Sequence, residues 1–138
     1  MKVISDSTKF TCRHGYRMGR HTIGCHCGTY WPIGMEKAIE KSCNNYFSSV
    51  YYKITEKYGP KGRNRAIDEW KEIMNSFGLG EFMNNDLAVG AKGKIPSGEF
   101  YTKRLGEKWH PYESAIFNGM GQGDVLLTPL QMANFTAA

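Results

Sequence analysis

Two groups of residues in this 138-residue chain are of types that do chemistry. One is the triplet Ser42-Cys43-Asn44, which sets a hydroxyl, a thiol and a carboxamide in a row. A serine that attacks a carbonyl needs a base to take its proton, and no evident base accompanies the triplet in the adjacent sequence. The other group is four cysteines at positions 12, 25, 27 and 43, with His14, His21 and His26 among them. Thiolates and imidazoles are the ligands of a tetrahedral ion such as zinc. An even cysteine count in an exported protein also permits two disulfides. Cys25 and Cys27 are poorly placed to bridge each other, because one intervening residue strains the geometry.

In "GCHCG" the side chain of His26 diverges from those of its neighbours, so it does not readily share a site with both cysteines. The expected ligand set is Cys12, Cys25, Cys43 and either His26 or Cys27. With every position filled by protein, such a zinc site is structural. It would staple the N-terminal loop to the helix bearing Cys43, and its removal would melt that loop. His14 and His21 read as surface residues of a Gly/Arg-rich loop.

These groups must be held by helices. Met35, Ala38 and Ile39, then Tyr46, Phe47, Val50, Tyr51, Ile54 and Tyr58, follow a 3.6-residue stripe from 34 to 58. The triplet interrupts it, so two helices with a tight turn between them are expected. A second stripe runs over 64–77 through Ala66, Ile67, Trp70, Ile73, Met74 and Phe77, and Gly78 stops it. From 81 to 124, Gly90, Gly93, Pro96, Gly98, Gly106 and Pro111 punctuate turns and extended pieces that wrap over a surface. Thr128 then caps a last helix, with Pro129 at its first position and Gln131 completing a capping box. The expected division is a metal-binding loop region over 1–33, helices flanking the triplet over 34–80, an irregular wrap over 81–124, and the start of a helix over 125–138.

Composition fits a single globular domain: 41% of residues are hydrophobic and 13% aromatic. No apolar run approaches the roughly 20 residues that span a bilayer. Lys and Arg number 18 against 13 Asp and Glu, a net charge of +5. The basic residues are scattered, so they read as a solvated surface. The tryptophans and tyrosines fall on amphipathic stripes or in turns and are not interleaved with arginine, which argues against a nucleic-acid stacking platform.

Taken together, "MEKAIEKSCNNYF", "FGLG" and "GMGQGDVLLTPLQMANFTAA" resemble the transpeptidase domain of class B penicillin-binding proteins, in the order and spacing of the elongation-type members. That family builds its site from S-x-x-K, S-x-N and K-[ST]-G. The resemblance implies that Ser42 and Asn44 are the S-x-N motif. Ser42 would relay a proton between the S-x-x-K lysine and the reacting amine, and Asn44 would hydrogen-bond the amide of a stem peptide or β-lactam. A metal ligand at the middle position is known in some elongation-type members. Neither S-x-x-K nor K-[ST]-G occurs in the sequence, since Lys9 stands four residues from Ser5 and two from Ser7.

The chain is thus expected to be a mainly α piece, the helical part of the penicillin-recognising fold without its sheet, and inactive alone. The GQG turn and the last helix would be scaffold, with Gly121 and Gly123 for tight turns and Gln122 as a structural hydrogen bonder. The implied partners are peptidoglycan stem peptides, β-lactams, and elongation-machinery membrane proteins including a glycosyltransferase. The implied location is the periplasmic face of the inner membrane, through an N-terminal anchor helix outside this sequence. The competing reading is an autonomous zinc module that contacts nucleic acid or a protein partner.

Overall fold

The computed structural model describes residues 2–28, 31–83, 90–113 and 115–138. Among these residues five α-helices and four short strands follow in the order β1 (Phe10–Thr11), β2 (Gly15–Met18), β3 (His21–Gly24), β4 (Pro32–Ile33), α1 (Met35–Glu40), α2 (Asn44–Thr55), α3 (Arg63–Ser76), α4 (Gly98–Leu105) and α5 (Pro129–Ala137). Among the described residues no helix is long and apolar enough to cross a membrane.

The helices form where the apolar stripes place them. In α2, Tyr46 and Tyr51 are buried, and α3 buries Ala66, Ile67 and Trp70. The last helix carries the full capping box, with the Gln131 amide on the Thr128 hydroxyl and the Gln131 side chain on the Thr128 amide. Two elements were not legible as expected. The wrap contains a helix, α4, capped by Ser97, whose hydroxyl accepts from the Phe100 amide at 3.1 Å. Glycines at 98 and 106 flank only seven residues, and so read as punctuation. Gly98 is needed there for a different reason: a Cβ on it would meet the Asn64 backbone at 2.4 Å, so α4 crosses α3 at glycine range.

The second surprise is the Gly/Arg-rich loop, which is a hairpin. Strand β2 pairs antiparallel with β3, Tyr16 opposite Ile23 and Met18 opposite His21. Its two-residue turn begins at Gly19 with φ 56°, the positive value that a tight hairpin needs at that point. Tyr16, Met18 and Ile23 lean on the core, whereas Arg17 and Thr22 on the other face are exposed. Strands β1 and β4 pair in a separate two-stranded ladder, Phe10 opposite Ile33.

Two apolar clusters result. The larger joins the hairpin to α2, α3, α4 and the 3-10 turns at 111–113 and 115–120, around Tyr51, Ile67, Trp70, Tyr101, Trp109 and Ile116. Residues such as Ile67 and Ile116 are fully buried, each contributing about 1.5–3 kcal/mol. The smaller consists of the four cysteines with Ile33, Ala38 and Tyr46. Between α2, α3 and α5 an open apolar groove of about 600 Å³ is lined by Phe47, Val50, Ile54, Met74, Leu79 and Met132, among others.

Candidate active-site turn and metal centre

The turn at Ser42 is built by the end of α1. The Cys43 amide donates to the Ala38 carbonyl at 2.8 Å and the Ser42 amide to the Ile39 carbonyl at 3.1 Å. This is a Schellman closure, whose penultimate position needs a left-handed residue. That position is usually glycine. Here it is Ser42, at φ 48°. Left-handed backbone at a non-glycine residue is held only where the surroundings enforce it, commonly at functional sites. Ser42 is exposed, Cys43 fully buried and Asn44 half-buried. The turn therefore presents its hydroxyl to solvent and turns its thiol inward.

Asn44 opens α2 and donates from Nδ2 to the Gly24 carbonyl at 2.9 Å. Asn45 beside it donates to the Thr11 carbonyl at 3.2 Å. The triplet is thus tied on one side to the hairpin and on the other to β1. Nδ2 of Asn44 carries a second proton, and Oδ1 is an acceptor. The carboxamide therefore keeps a donor and an acceptor for a ligand amide.

Cys43 brings the metal candidates together. The sulfurs of Cys12, Cys25, Cys27 and Cys43 all lie within 4.8 Å of one another, and all four residues are buried. The sequence left the fourth position open between His26 and Cys27. The structure places Cys27 in the cluster and His26 on the surface. Burial alternates along 25–27 (buried, exposed, buried), as it does where side chains at i and i+2 share a face. Zinc–thiolate bonds of about 2.3 Å set the sulfurs of a tetrahedral site about 3.8 Å apart. Cys25 Sγ and Cys43 Sγ stand 3.8 Å apart. A disulfide needs about 2.05 Å, and the four cysteines are unbridged.

Burial favours the neutral form of the Cys12 and Cys43 thiols in this pocket. Burial, then contact with the Cys27 and Cys25 thiols, holds the Cys12 thiol well above its ordinary range. Burial also pushes Cys43 up to about 11, although the Tyr46 backbone amide acts in the opposite direction. Four thiols packed together cannot all ionise without a positive charge among them, and a divalent ion supplies that charge. The donor set fits zinc: four soft ligands, closed to water, with spacing already tetrahedral in scale.

The rest of the scaffold is polar and buried. Asn118 donates from Nδ2 to the phenols of Tyr51 at 3.0 Å and Tyr101 at 2.7 Å, and its Oδ1 accepts from the Asp124 amide at 3.1 Å. It clips the GQG turn to α2 and α4. Gly119 beside it lies so near α2 that a Cβ would stand 2.8 Å from the Phe47 carbonyl. Gln122, expected to be the structural hydrogen bonder, is exposed. Gln131 does that work instead: its Nε2 donates to the carbonyls of Glu81 and Lys92, both at 2.8 Å, from a side chain that is almost wholly buried. The capping box announced Gln131 at the helix start but carried no sign of these distant carbonyls. Trp70 and Trp109 are core residues, so they form no stacking platform for nucleic acid.

The chain matches the penicillin binding protein transpeptidase domain over residues 1–138 and belongs to that family. Its fold is similar to that of PBP2 of Pseudomonas aeruginosa, solved in complex with WCK 5153, with a TM-score of 0.76 and 26% identity over 98% of this chain and 29% of that one. It is also similar to the penicillin-binding protein PBP2 from Helicobacter pylori, with a TM-score of 0.76 and 23% identity over 96% of this chain and 23% of that one. A complex of PBP2 with MreC from the same organism matches at a TM-score of 0.71 and 24% identity, over 93% of this chain and 22% of that one. The chain therefore spans under a third of the length of the solved proteins it resembles. No curated protein matches it. The mainly helical architecture is that of part of the transpeptidase fold.

Proposed function

We propose that these 138 residues are the S-x-N-bearing portion of a serine D,D-transpeptidase that cross-links peptidoglycan stem peptides and is acylated by β-lactams. The observation that carries this is the left-handed Ser42 turn with Asn44 anchored behind it, in a chain that matches the family from end to end. A serine hydroxyl is both donor and acceptor, so Ser42 Oγ passes a proton between a neighbouring amine and the reacting nitrogen. Asn44 holds the amide of the acyl donor in line. The sequence has neither S-x-x-K nor K-[ST]-G, so nucleophile and base are contributed from outside this stretch, and these residues alone neither acylate nor cross-link.

Cys12, Cys25, Cys27 and Cys43 hold a structural zinc ion, which supplies the positive charge that lets buried thiolates coexist. The longer protein works at the periplasmic face of the inner membrane with other membrane proteins of the wall-elongation machinery, including a glycosyltransferase. One of the solved relatives is described as part of a peptidoglycan synthase complex and another is bound to MreC, which supports that setting.

The test is labelling by a fluorescent penicillin. The 138 residues alone should remain unlabelled, and a longer protein with an upstream S-x-x-K should label and lose most of its acylation rate on Ser42→Ala. Stoichiometric covalent labelling of the 138-residue chain would sink the assignment.

A further inference from the structure

We propose that the four-thiol cluster is a redox latch on the S-x-N turn, in which a two-electron oxidation joins Cys25 to Cys43 and expels the metal. The proposal rests on the zinc reading above and adds to it a chemistry of these four side chains. Two consecutive residues of the turn face two consecutive residues at the end of β3. Cys43 Sγ stands 3.8 Å from Cys25 Sγ, and Asn44 is bonded to the Gly24 carbonyl at 2.9 Å. The bond would form along a contact that already exists. To bond, the sulfurs must close to about 2.05 Å. The Cys25–Cys27 pairing is disfavoured by its short, strained ring. Cys12 approaches from β1 and touches Cys27 and Cys25, and Cys43 touches Cys27 as well as Cys25; once Cys25 joins Cys43, Cys12 and Cys27 are left as the residual thiols. Two thiols cannot close a tetrahedral site, and the ion leaves.

The oxidant is a peroxide, small enough to reach sulfurs whose residues are 2% and 0% exposed. The Cys25 sulfur attacks one peroxide oxygen, the O–O bond breaks, and hydroxide departs, leaving a sulfenic acid. The Cys43 sulfur then attacks the Cys25 sulfur, the S–O bond breaks, and a second hydroxide departs as the disulfide forms. The two sulfurs give up two electrons and the peroxide takes them, ending as two waters. Starting from the thiolate–metal site, four protons are taken up: two complete the waters and two restore the Cys12 and Cys27 thiols. The result ties the turn bearing Ser42 and Asn44 covalently to the hairpin. Because the cluster is buried, a bulky disulfide oxidant such as oxidised glutathione should act far more slowly than peroxide on the folded protein.

The experiment uses the protein purified under reducing conditions, with its zinc content measured first. Hydrogen peroxide is added, released zinc is followed with a chromogenic chelator, and the remaining thiols are alkylated in denaturant before peptide mapping. The expected result is loss of one zinc per chain, a fall from four alkylatable thiols to two, and a Cys25–Cys43 crosslink that a dithiol reductant reverses. Cys25→Ser and Cys43→Ser should each remove the crosslink, and Cys27→Ser should retain it. Zinc present at the start with all four thiols still alkylatable after peroxide, or a crosslink between another pair, overturns the latch. Protein that holds no zinc when purified, yet forms the Cys25–Cys43 link, refutes the metal reading and upholds the pairing.

Discussion

Replacing Ser42 with glycine should stabilise the protein and abolish its contribution to catalysis. Ser42 sits at φ 48°, where an L side chain costs roughly 1–2 kcal/mol. Glycine removes that cost but loses more conformational freedom on folding, about 0.5–1 kcal/mol. The difference leaves a net gain of roughly 0–1.5 kcal/mol, centred near 0.75. Little else changes, because Ser42 is exposed and both bonds that close the turn are made by backbone groups. Ser42→Ala is the control, with the same hydroxyl lost and the same backbone cost retained. Urea denaturation resolves the two if the slope is constant and only the midpoint moves. The Gly variant should unfold at higher urea than both the wild type and the Ala variant. A Gly midpoint at or below that of Ala would show that the left-handed turn is unstrained, and the argument from backbone to function would fail. In a longer protein with S-x-x-K, both variants should lose acylation equally, so that stability rises as activity falls.

Asn118→Ala should destabilise by about 1–3 kcal/mol, because it strands the buried Tyr51 phenol and the Asp124 amide, whereas Tyr101 keeps its contact with the Asp124 carboxylate. A loss below roughly 1 kcal/mol in the same urea assay would mean that Tyr51 re-pairs without it. The pH dependence should separate metal-free from metal-loaded protein. The Cys43 thiol is raised from its ordinary 9.0 to about 11 by burial, so folding favours its neutral form. That stability is complete below pH 9 and is lost as pH climbs through 11. Chelated, reduced protein should therefore show a falling urea midpoint from pH 9 upward. Metal-loaded protein, whose thiols are already deprotonated, should hold level there. It should yield only above pH 10, where the phenols of Tyr16, Tyr51 and Tyr101 ionise in the unfolded chain but are kept neutral by burial in the folded one. Identical alkaline profiles for the two forms would exclude a thiolate–metal site.

The helices were legible because burial imposes a 3.6-residue period on α2 and α3, and because Thr128, Pro129 and Gln131 announce α5 locally. The break at the triplet was legible for a similar reason, since three poor helix formers interrupt a continuous stripe. The hairpin was hidden because only Tyr16, Met18 and Ile23 carry its inward face, among Gly, Arg and His residues that read as loop. Helix α4 was hidden because the glycine that lets it cross α3 looks like a breaker when α3 is out of view. The choice of Cys27 over His26 was within reach: had the stretch been read as extended, the i, i+2 rule would have decided it. The partners of Asn118 and Gln131 lie far along the chain, and no local pattern encodes such distances.

The tie between the S-x-N turn and the N-terminal region also bears on the chain entropy of folding. Helices α1 and α2 are local. The contacts that aim Ser42 and Asn44 are not: Asn44 reaches back to Gly24, Asn45 to Thr11, and Cys43 to sulfurs beginning at Cys12. Closing a loop of roughly 30 residues costs about 3 kcal/mol of chain entropy before any contact offsets it. The contacts that hold the Ser42 turn against β1 and β3 therefore carry a loop-closure cost that its own backbone bonds to Ala38 and Ile39 do not. A chain that lacked those long-range contacts would keep the left-handed closure at Ser42, yet nothing would fix that turn relative to the hairpin.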